Sequence, residues 1–204
     1  MKVYKMFNRD LTCRGYRFRV GLNTCDEANC RHNGFHAAEN PLDCLSYYRW
    51  EDSVCWLCNA SGDIDEDEVD SKVSCTELTL LLELDLEDFV GEAVRYMISH
   101  PRRPYRQRGG TVTVAKDSAD VPEPGHAVIV RGQDPQVLSE GEACGDIPDG
   151  AVVALVWEDE SARQVIRAEV RNGGKDAWRW QASDGKQLWQ AVFGKEAADA
   201  QGNK

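Results

Sequence analysis

The stretch that decides the fold is NGFHAAENPLDCLSYY, residues 33–48. Gly34 suits a backbone that turns into a strand. Asn40 precedes a proline, which disfavours helix before it and suits the first turn of a helix that Asn40 itself caps. Leu42, Leu45 and Tyr48 then recur every three residues, on one face of a helix. The stretch therefore predicts a strand, a turn and a short helix packed on a sheet.

The same stretch carries candidate ligand-binding side chains. Phe35, His36 and Tyr47 or Tyr48 would line a pocket if the strand and the helix faced one another, although a lone histidine beside an aromatic ring is also common in ordinary packing. Both interpretations stay open on the sequence.

The other predicted elements of the first hundred residues follow from hydrophobic periodicity. Asp85 or Asp88 would cap the one amphipathic helix. The predicted elements are a strand at Lys2–Asn8, a half-exposed strand within Leu11–Gly21, strands at Val54–Ala60 and Val73–Leu84, a mobile acidic loop at Ser61–Ser71, and the helix at Leu86–Ile98.

From Thr111 onward the pattern changes to short strands separated by turns. Thr111–Ala115, Ala127–Val130 and Val137–Leu138 are spaced like the rungs of a small solenoid, with turns at Lys116-Asp117-Ser118 and Gly132-Gln133-Asp134-Pro135. Ala151–Trp157 is the strongest strand, and Val165–Val170 should pair with it. Asn172-Gly173-Gly174 then begins a hairpin turn toward Trp178.

These patterns predict an α+β fold in two parts. Residues 1–100 would form a mixed sheet with one or two helices, residues 101–110 a basic linker, and residues 111–204 a small all-β module of short rungs and hairpins with a frayed end.

The formal charge of −11 is concentrated in one segment. Residues 61–92 hold twelve acidic residues and one lysine, which equals the whole imbalance. Such a field opposes direct nucleic-acid binding and suits a protein partner with a basic surface, although solubility alone can explain it. The candidate partner-binding residues are Asp63, Asp65, Glu66, Asp67, Glu68 and Asp70, together with Trp178 and Trp180.

Seven of the eight cysteines lie before residue 76. Cys25-x4-Cys30 and Cys55-x2-Cys58 have spacings that zinc sites use, and His32 and His36 could substitute as ligands. Cys55 and Cys58 would, however, point to opposite faces of their strand. Buried thiols are favoured over a metal site, and Cys25 and Cys30 remain the candidate ligands.

The N-terminus lacks the apolar run of a signal peptide, and no stretch is long and apolar enough to cross a membrane. We expect a cytoplasmic protein with no membrane partner.

Several motifs resemble an uncharacterised family of phage and prophage proteins. The motifs are Thr12-Cys13-Arg14-Gly15-Tyr16, Gly34-Phe35-His36-Ala37, Asn40-Pro41-Leu42-Asp43 and Tyr47-Tyr48, with Ser53–Gly62, Asp70-Ser71-Lys72 and a terminal hairpin at Val152–Trp189. The resemblance implies a phage-encoded protein that works inside a bacterial host, and it implies no activity.

Lys2-Val3-Tyr4, Gly34-Phe35-His36-Ala37 and Tyr47-Tyr48 are also similar to the strand and helix pattern of ADP-ribosyltransferase folds. That resemblance implies NAD as cofactor, with Tyr4, Phe35, His36 and Tyr48 as candidate site residues. It also implies a catalytic glutamate, for which Glu66, Glu68 and Glu77 are candidates by position.

We expect a phage accessory protein that acts by protein–protein contact, as an inhibitor of a host defence or nucleic-acid-handling complex, because no complete catalytic constellation is visible. In this interpretation it needs no cofactor. An ADP-ribosyltransferase-like enzyme using NAD is the alternative, and a structural protein of the virion is the third.

Overall fold

The computed structural model describes residues 1–30, 32–66, 71–105, 110–143, 146–173, 178–183 and 186–191, with side chains up to residue 173. The chain divides into two compact units, Met1–Tyr96 and Met97–Lys204. The described residues are mostly β-sheet, with a stronger β character than the predicted α+β mixture, and they include two α-helices.

The described residues of the first unit form seven strands, one helix and a second helix up to Tyr96, and the last three residues of that second helix belong to the second unit. These elements are β1 Lys2–Asn8, β2 Thr12–Cys13, β3 Tyr16–Arg17, β4 Gly21–Thr24, β5 Phe35–Ala38, α1 Pro41–Cys44, β6 Ser53–Glu66, β7 Lys72–Leu84 and α2 Leu86–Ser99, with a 3-10 turn at Trp50–Asp52. The predicted strands at β1 and β7 and the predicted helix α2 are confirmed.

Four strands of this unit close into a ring. β6 pairs with β1 along one edge and with β7 along the other, and β5 connects β7 to β1. β4 pairs with the part of β7 that β5 does not cover. All these pairings are antiparallel. The apolar core contains side chains from all four ring strands, among them Val3, Phe7, Phe35, Cys58 and Leu78.

Helix α2 covers another part of the unit with a fully buried apolar stripe that includes Phe89, Val90, Ala93 and Val94. Its N-terminus is capped by Asp85, whose carboxylate accepts a 2.8 Å hydrogen bond from the main-chain N–H of Asp88. Of the two predicted caps, Asp85 is therefore the residue that acts. None of the described helices is both long and apolar enough to cross a membrane.

Three predictions for this unit need correction. Leu11–Gly21 is not one strand, because Arg14 and Gly15 turn the chain into the β2–β3 hairpin. The predicted loop at Ser61–Ser71 is strand up to Glu66, because β7 offers a paired edge to that polar segment. The helix after Asn40 is a single turn, and the chain continues from it in further turns.

The described residues of the second unit form a seven-stranded sheet. Its strands are β8 Val112–Asp120, β9 Ala127–Ser139, β10 Glu142–Ala143, β11 Val152–Asp159, β12 Gln164–Asn172, β13 Trp178–Ser183 and β14 Lys186–Ala191. β8, β9 and β11 are parallel and aligned at Val112, Ala127 and Val152. β12, β13 and β14 extend the sheet from β11 in antiparallel order, so the predicted pairing of β11 with β12 is confirmed.

Two predicted turns of this unit lie inside strands. Lys116-Asp117-Ser118 belongs to β8 and Gly132-Gln133-Asp134-Pro135 to β9. The β8–β9 register shifts between Lys116 and Ser118, and Asp117 takes a φ of 63°. The turn residues therefore form a bulge that bends two paired strands without ending them.

Candidate functional site

A cavity of about 540 Å³ opens in the first unit. Its wall brings together segments that the sequence alone could not place side by side: the inner part of β1, the β2–β3 hairpin with Phe18, the stretch from Gly34 to Tyr48, Cys25, and Lys72 at the start of β7. The cavity volume is in the range of small-molecule sites.

The 33–48 stretch is held in place by a hydrogen-bonded network with the start of β7. Asn40 is 2% exposed, and its side chain accepts a 3.2 Å bond from the N–H of Leu42. The Asn40 N–H donates to Ser71 Oγ at 3.0 Å, and Ser71 Oγ donates to Asp43 at 2.7 Å. The predicted cap is confirmed, and the network fixes α1 beside Lys72.

Aromatic side chains form one wall. The ring of Phe35 lies 5.0 Å from Phe18 and 5.1 Å from Tyr16, and Tyr16 and Phe18 meet edge to face at 4.6 Å. Phe35 is buried, whereas Tyr16 is 42% exposed. Tyr16 therefore presents ring surface on which a planar ligand can stack.

Three cationic side chains line the same cavity, Lys5, Arg14 and Lys72, against one carboxylate, Asp43. The Lys5 ammonium donates a 2.7 Å hydrogen bond to the main-chain oxygen of His36. It also lies over the rings of Phe7 and Phe18, 5.2 and 5.4 Å from their centroids. Lys72 donates to the hydroxyl of Tyr47 at 2.6 Å.

Burial and the cations of the cavity both affect the pKa of His36. Burial lowers the pKa of His36 from 6.5, and the positive charges of Lys5, Lys72 and Arg14 lower the pKa further. His36 is therefore a neutral imidazole at pH 7. An anion in the cavity would raise its pKa again.

Two tyrosines of the wall are also held by hydrogen bonds. Tyr48 Oη lies 2.9 Å from Cys13 Sγ, and burial and that contact raise the pKa of Tyr48. Tyr4 Oη donates to Glu92 at 2.7 Å, and burial followed by the Glu92 charge raises the pKa of Tyr4. Alternation along β1 puts the Tyr4 side chain on the face opposite Lys5, so Tyr4 borders the cavity while its hydroxyl is directed to Glu92.

Only some of the candidate residues of the ADP-ribosyltransferase resemblance lie in the described cavity wall. Phe35, His36, Tyr48 and Tyr4 all contribute to the cavity wall. The candidate glutamates do not, in the described part of the wall: Glu77 accepts a 2.9 Å bond from Ser61 on the β6–β7 pair, and Glu66 is exposed at the end of β6. Glu68 lies outside the described residues.

The candidate metal ligands have other partners. Cys25 Sγ donates to the main-chain oxygen of Cys75 at 3.6 Å, and Cys30 Sγ donates to that of Lys72 at 3.8 Å. Within the described residues no three His, Cys, Asp or Glu side chains are arranged to hold a metal ion. Burial raises the pKa of Cys58 to about 12 and of Cys75 to about 11, as in unreactive core thiols.

The candidate partner-binding residues of the acidic segment that the structure describes lie outside the cavity wall. Asp63, Asp65 and Glu66 are exposed on the ribbon that β6 and β7 form beyond Ser61. Asp67, Glu68 and Asp70 lie outside the described residues, as do Arg106–Gly109 of the predicted linker and the predicted frayed end, Glu196–Lys204. Trp178 and Trp180 lie in β13, and their side chains are not among those described.

Sequence reasoning missed the cations of the cavity. Lys5 had a visible signal, because it shares a strand face with Val3 and Phe7 and is therefore flanked by two core positions. Arg14 and Lys72 stand in two of the motifs of the phage-protein resemblance, but only the tertiary fold brings the hairpin and β7 to the cavity.

The comparison with known families concerns this unit alone. Residues 1–92, which include all the residues of the cavity wall, match the model of DUF7666, a domain of unknown function. The chain matches no curated protein. It also matches no solved structure.

Proposed function

We propose that the first unit binds a small molecule that carries both an anionic group and a planar ring, the chemistry of a nucleotide, in the cavity beside Lys5. The observation that supports the proposal most strongly is the burial of Lys5. This residue is 6% exposed and lines the cavity.

No carboxylate contacts Lys5 among the described residues, since its partners there are a main-chain oxygen, the thiol of Cys13 and two rings. Removing an ammonium from water without a counter-charge costs several kcal/mol. A bound anion would supply that counter-charge, and the cation–π contacts would remain.

The charges around Lys5 also favour an anionic ligand. Arg14 and Lys72 add to the positive potential that lowers the pKa of His36. The one opposing carboxylate, Asp43, accepts hydrogen bonds from Ser71 at 2.7 and 3.4 Å. Three cations against one partly engaged carboxylate suit a ligand with more than one negative charge.

The aromatic wall favours a ring as the second part of the ligand. Tyr16 presents ring surface beside Phe18 and Phe35, and stacking on such a surface accepts any planar heterocycle. NAD belongs to this class. Because the described wall offers Asp43 as its one carboxylate, we propose binding, and ADP-ribosyl transfer stays the alternative.

Isothermal titration of the full chain with ADP, NAD, pyrophosphate and adenosine tests the proposal. Lys5→Met should weaken binding of the three anions at least tenfold, since a charge-assisted hydrogen bond is lost. Lys2→Met is the matched control, because Lys2 lies on the same strand, pairs with Glu92 at 2.6 Å and is not in the cavity wall.

The proposal fails if the wild-type protein binds none of the three anions. It also fails if adenosine binds as tightly as ADP, because the anionic group would then contribute nothing.

The protein–protein function is a second candidate, supported by the exposure of Asp63 and Glu66 on the β6–β7 ribbon. In this proposal a phage-encoded accessory protein offers the ribbon to a basic host protein. Affinity capture from a bacterial lysate should then yield a stoichiometric partner that is lost at high salt.

The combined change Asp63→Lys and Glu66→Lys should abolish that capture. Glu123→Lys with Glu142→Lys makes the same change in charge at exposed positions of the second unit. Asp65 is left intact, because its carboxylate holds the N–H of Cys30 at 2.7 Å. Equal capture by both double variants would exclude the ribbon as the binding surface.

A further inference from the structure

The turn of the β2–β3 hairpin has an unusual residue at its first central position. Cys13 and Tyr16 pair across it, and Arg14 and Gly15 between them take φ values of 49° and 83°. Positive φ at both central positions defines a type I′ turn, in which Asn, Asp and Gly are favoured. An arginine in this left-handed region is strained by its own Cβ.

Local interactions do not account for arginine at this position. Gly15 already provides the flexible second position, and no hydrogen bond or ion pair holds the Arg14 guanidinium among the described residues. Arg14 instead lines the cavity, where its charge lowers the pKa of both His36 and Tyr48. The backbone at Arg14 is thus unfavourable for arginine, while the side chain brings a positive charge to the cavity.

We propose that Arg14 recognises the phosphate of the ligand. This inference rests on the proposed function, and it narrows the class of ligand to phosphate esters that carry a planar base. The planar guanidinium donates paired hydrogen bonds that match a phosphate, whereas Lys5 and Lys72 act as point charges. A bound phosphate would offset the backbone strain and give the guanidinium a counter-charge.

The hairpin would place both parts of the ligand at once. Tyr16 follows the turn directly and presents its ring to the cavity from an exposed position. A nucleotide held with its phosphate at Arg14 could stack its base on Tyr16, so the four residues from Cys13 to Tyr16 would act as one clamp.

Arg14→Asn gives a test in which stability and binding move in opposite directions. Asparagine suits the turn, so the midpoint of thermal unfolding should rise, while affinity for ADP should fall by about tenfold to a hundredfold. Affinity for adenosine should not change. Arg14→Lys keeps the charge and the strain and should show an intermediate loss, since a bidentate contact is replaced by a single one.

Arg17→Asn is the control within the same hairpin. Arg17 is exposed, pairs with Asp10 at 3.3 Å and is not part of the cavity wall. It should leave ADP affinity within twofold of wild type, because exposed ion pairs contribute little.

The outcomes separate this inference from the proposed function. If the wild-type chain binds neither ADP nor pyrophosphate, the proposed function itself fails. If the wild type binds ADP and Arg14→Asn binds it equally well, only the role of Arg14 is wrong. A loss of binding together with a lower unfolding midpoint would overturn the inference, because asparagine would then have disrupted the turn that it should relax.

Discussion

Lys5 and His36 are joined by a 2.7 Å hydrogen bond from the lysine ammonium to the main-chain oxygen of the histidine. The bond fixes a buried charge beside a titratable ring in one cavity. The charge of Lys5 lowers the pKa of His36, and both residues offer a way to test the electrostatics of the cavity without knowledge of the ligand.

Lys5→Met should leave the free energy of unfolding within about 1 kcal/mol of wild type or raise it. The methionine keeps the length and apolar stem while removing a buried charge that no carboxylate offsets. Denaturant unfolding measures the change. A loss of about 3 kcal/mol or more would show that Lys5 stabilises the fold, and its burial would then not require a bound anion.

The pKa of His36 gives a pH dependence with a defined sign. Its folded-state pKa is below 6.5, so between that value and 6.5 the unfolded chain binds more protons. The contribution of His36 to stability is therefore constant above pH 6.5 and is lost as the pH falls through this window. An NMR titration of the ring measures the pKa directly.

Anion binding should reverse part of this effect. ADP or pyrophosphate should raise the pKa of His36, so binding takes up protons and affinity rises as the pH falls toward that pKa. His36→Gln should remove this His36-linked component of the pH dependence. An unchanged His36 pKa at saturating pyrophosphate would place the anion elsewhere.

Asn40→Ala should lower the free energy of unfolding by about 1–2 kcal/mol, because the buried side chain caps α1. Asn8→Ala is the matched control, since the exposed Asn8 side chain bonds to Thr12 Oγ1 alone among the described residues. It should change the free energy by less than about 0.5 kcal/mol. Similar losses for both variants would mean that the Asn40 network adds nothing specific.

The contact between Gly132 and Asp117 at the bulge of the second unit predicts that a substitution of one residue offsets the destabilisation caused by a substitution of the other. A Cβ on Gly132 would contact Asp117 Oδ1 and lie 3.3 Å from its Cα, so Gly132→Ala should cost about 1–3 kcal/mol. Asp117→Gly removes that side chain and suits its φ of 63°. The double variant should therefore be less destabilised than the sum of the single changes, which a double-mutant cycle measures. Simple additivity would contradict the contact.

Elements with a strong period were predictable from the sequence. The apolar residues of α2 recur along one stripe, and the structure buries Phe89, Val90, Ala93 and Val94 completely. The Asn40-Pro41 signal likewise placed the start of α1, because capping and proline geometry are local. The length of α1 was not predictable from local signals, since the chain turns away after Cys44.

The hairpin and the acidic ribbon depend on distant parts of the chain. Tyr16 and Phe18 alternate like residues of one strand, but Phe18 packs on Phe7 and Phe35, which lie outside the segment. Asp63 and Asp65 have loop composition, yet β7 pairs with their strand. In both cases tertiary partners overrode the local preference.

The way the ring of strands closes has a mechanical consequence. β1 pairs with β6 over its whole length, from Lys2 with Asn59 to Asn8 with Ser53, whereas β1 and β5 share the single pair Tyr4 and Ala38. Under a pulling force the ring is therefore expected to part first between β1 and β5. The Lys5–His36 hydrogen bond connects β1 with β5, and a ligand bound in the cavity would add contacts between the same two strands. The force needed to separate β1 from β5 should therefore be higher when the cavity is occupied.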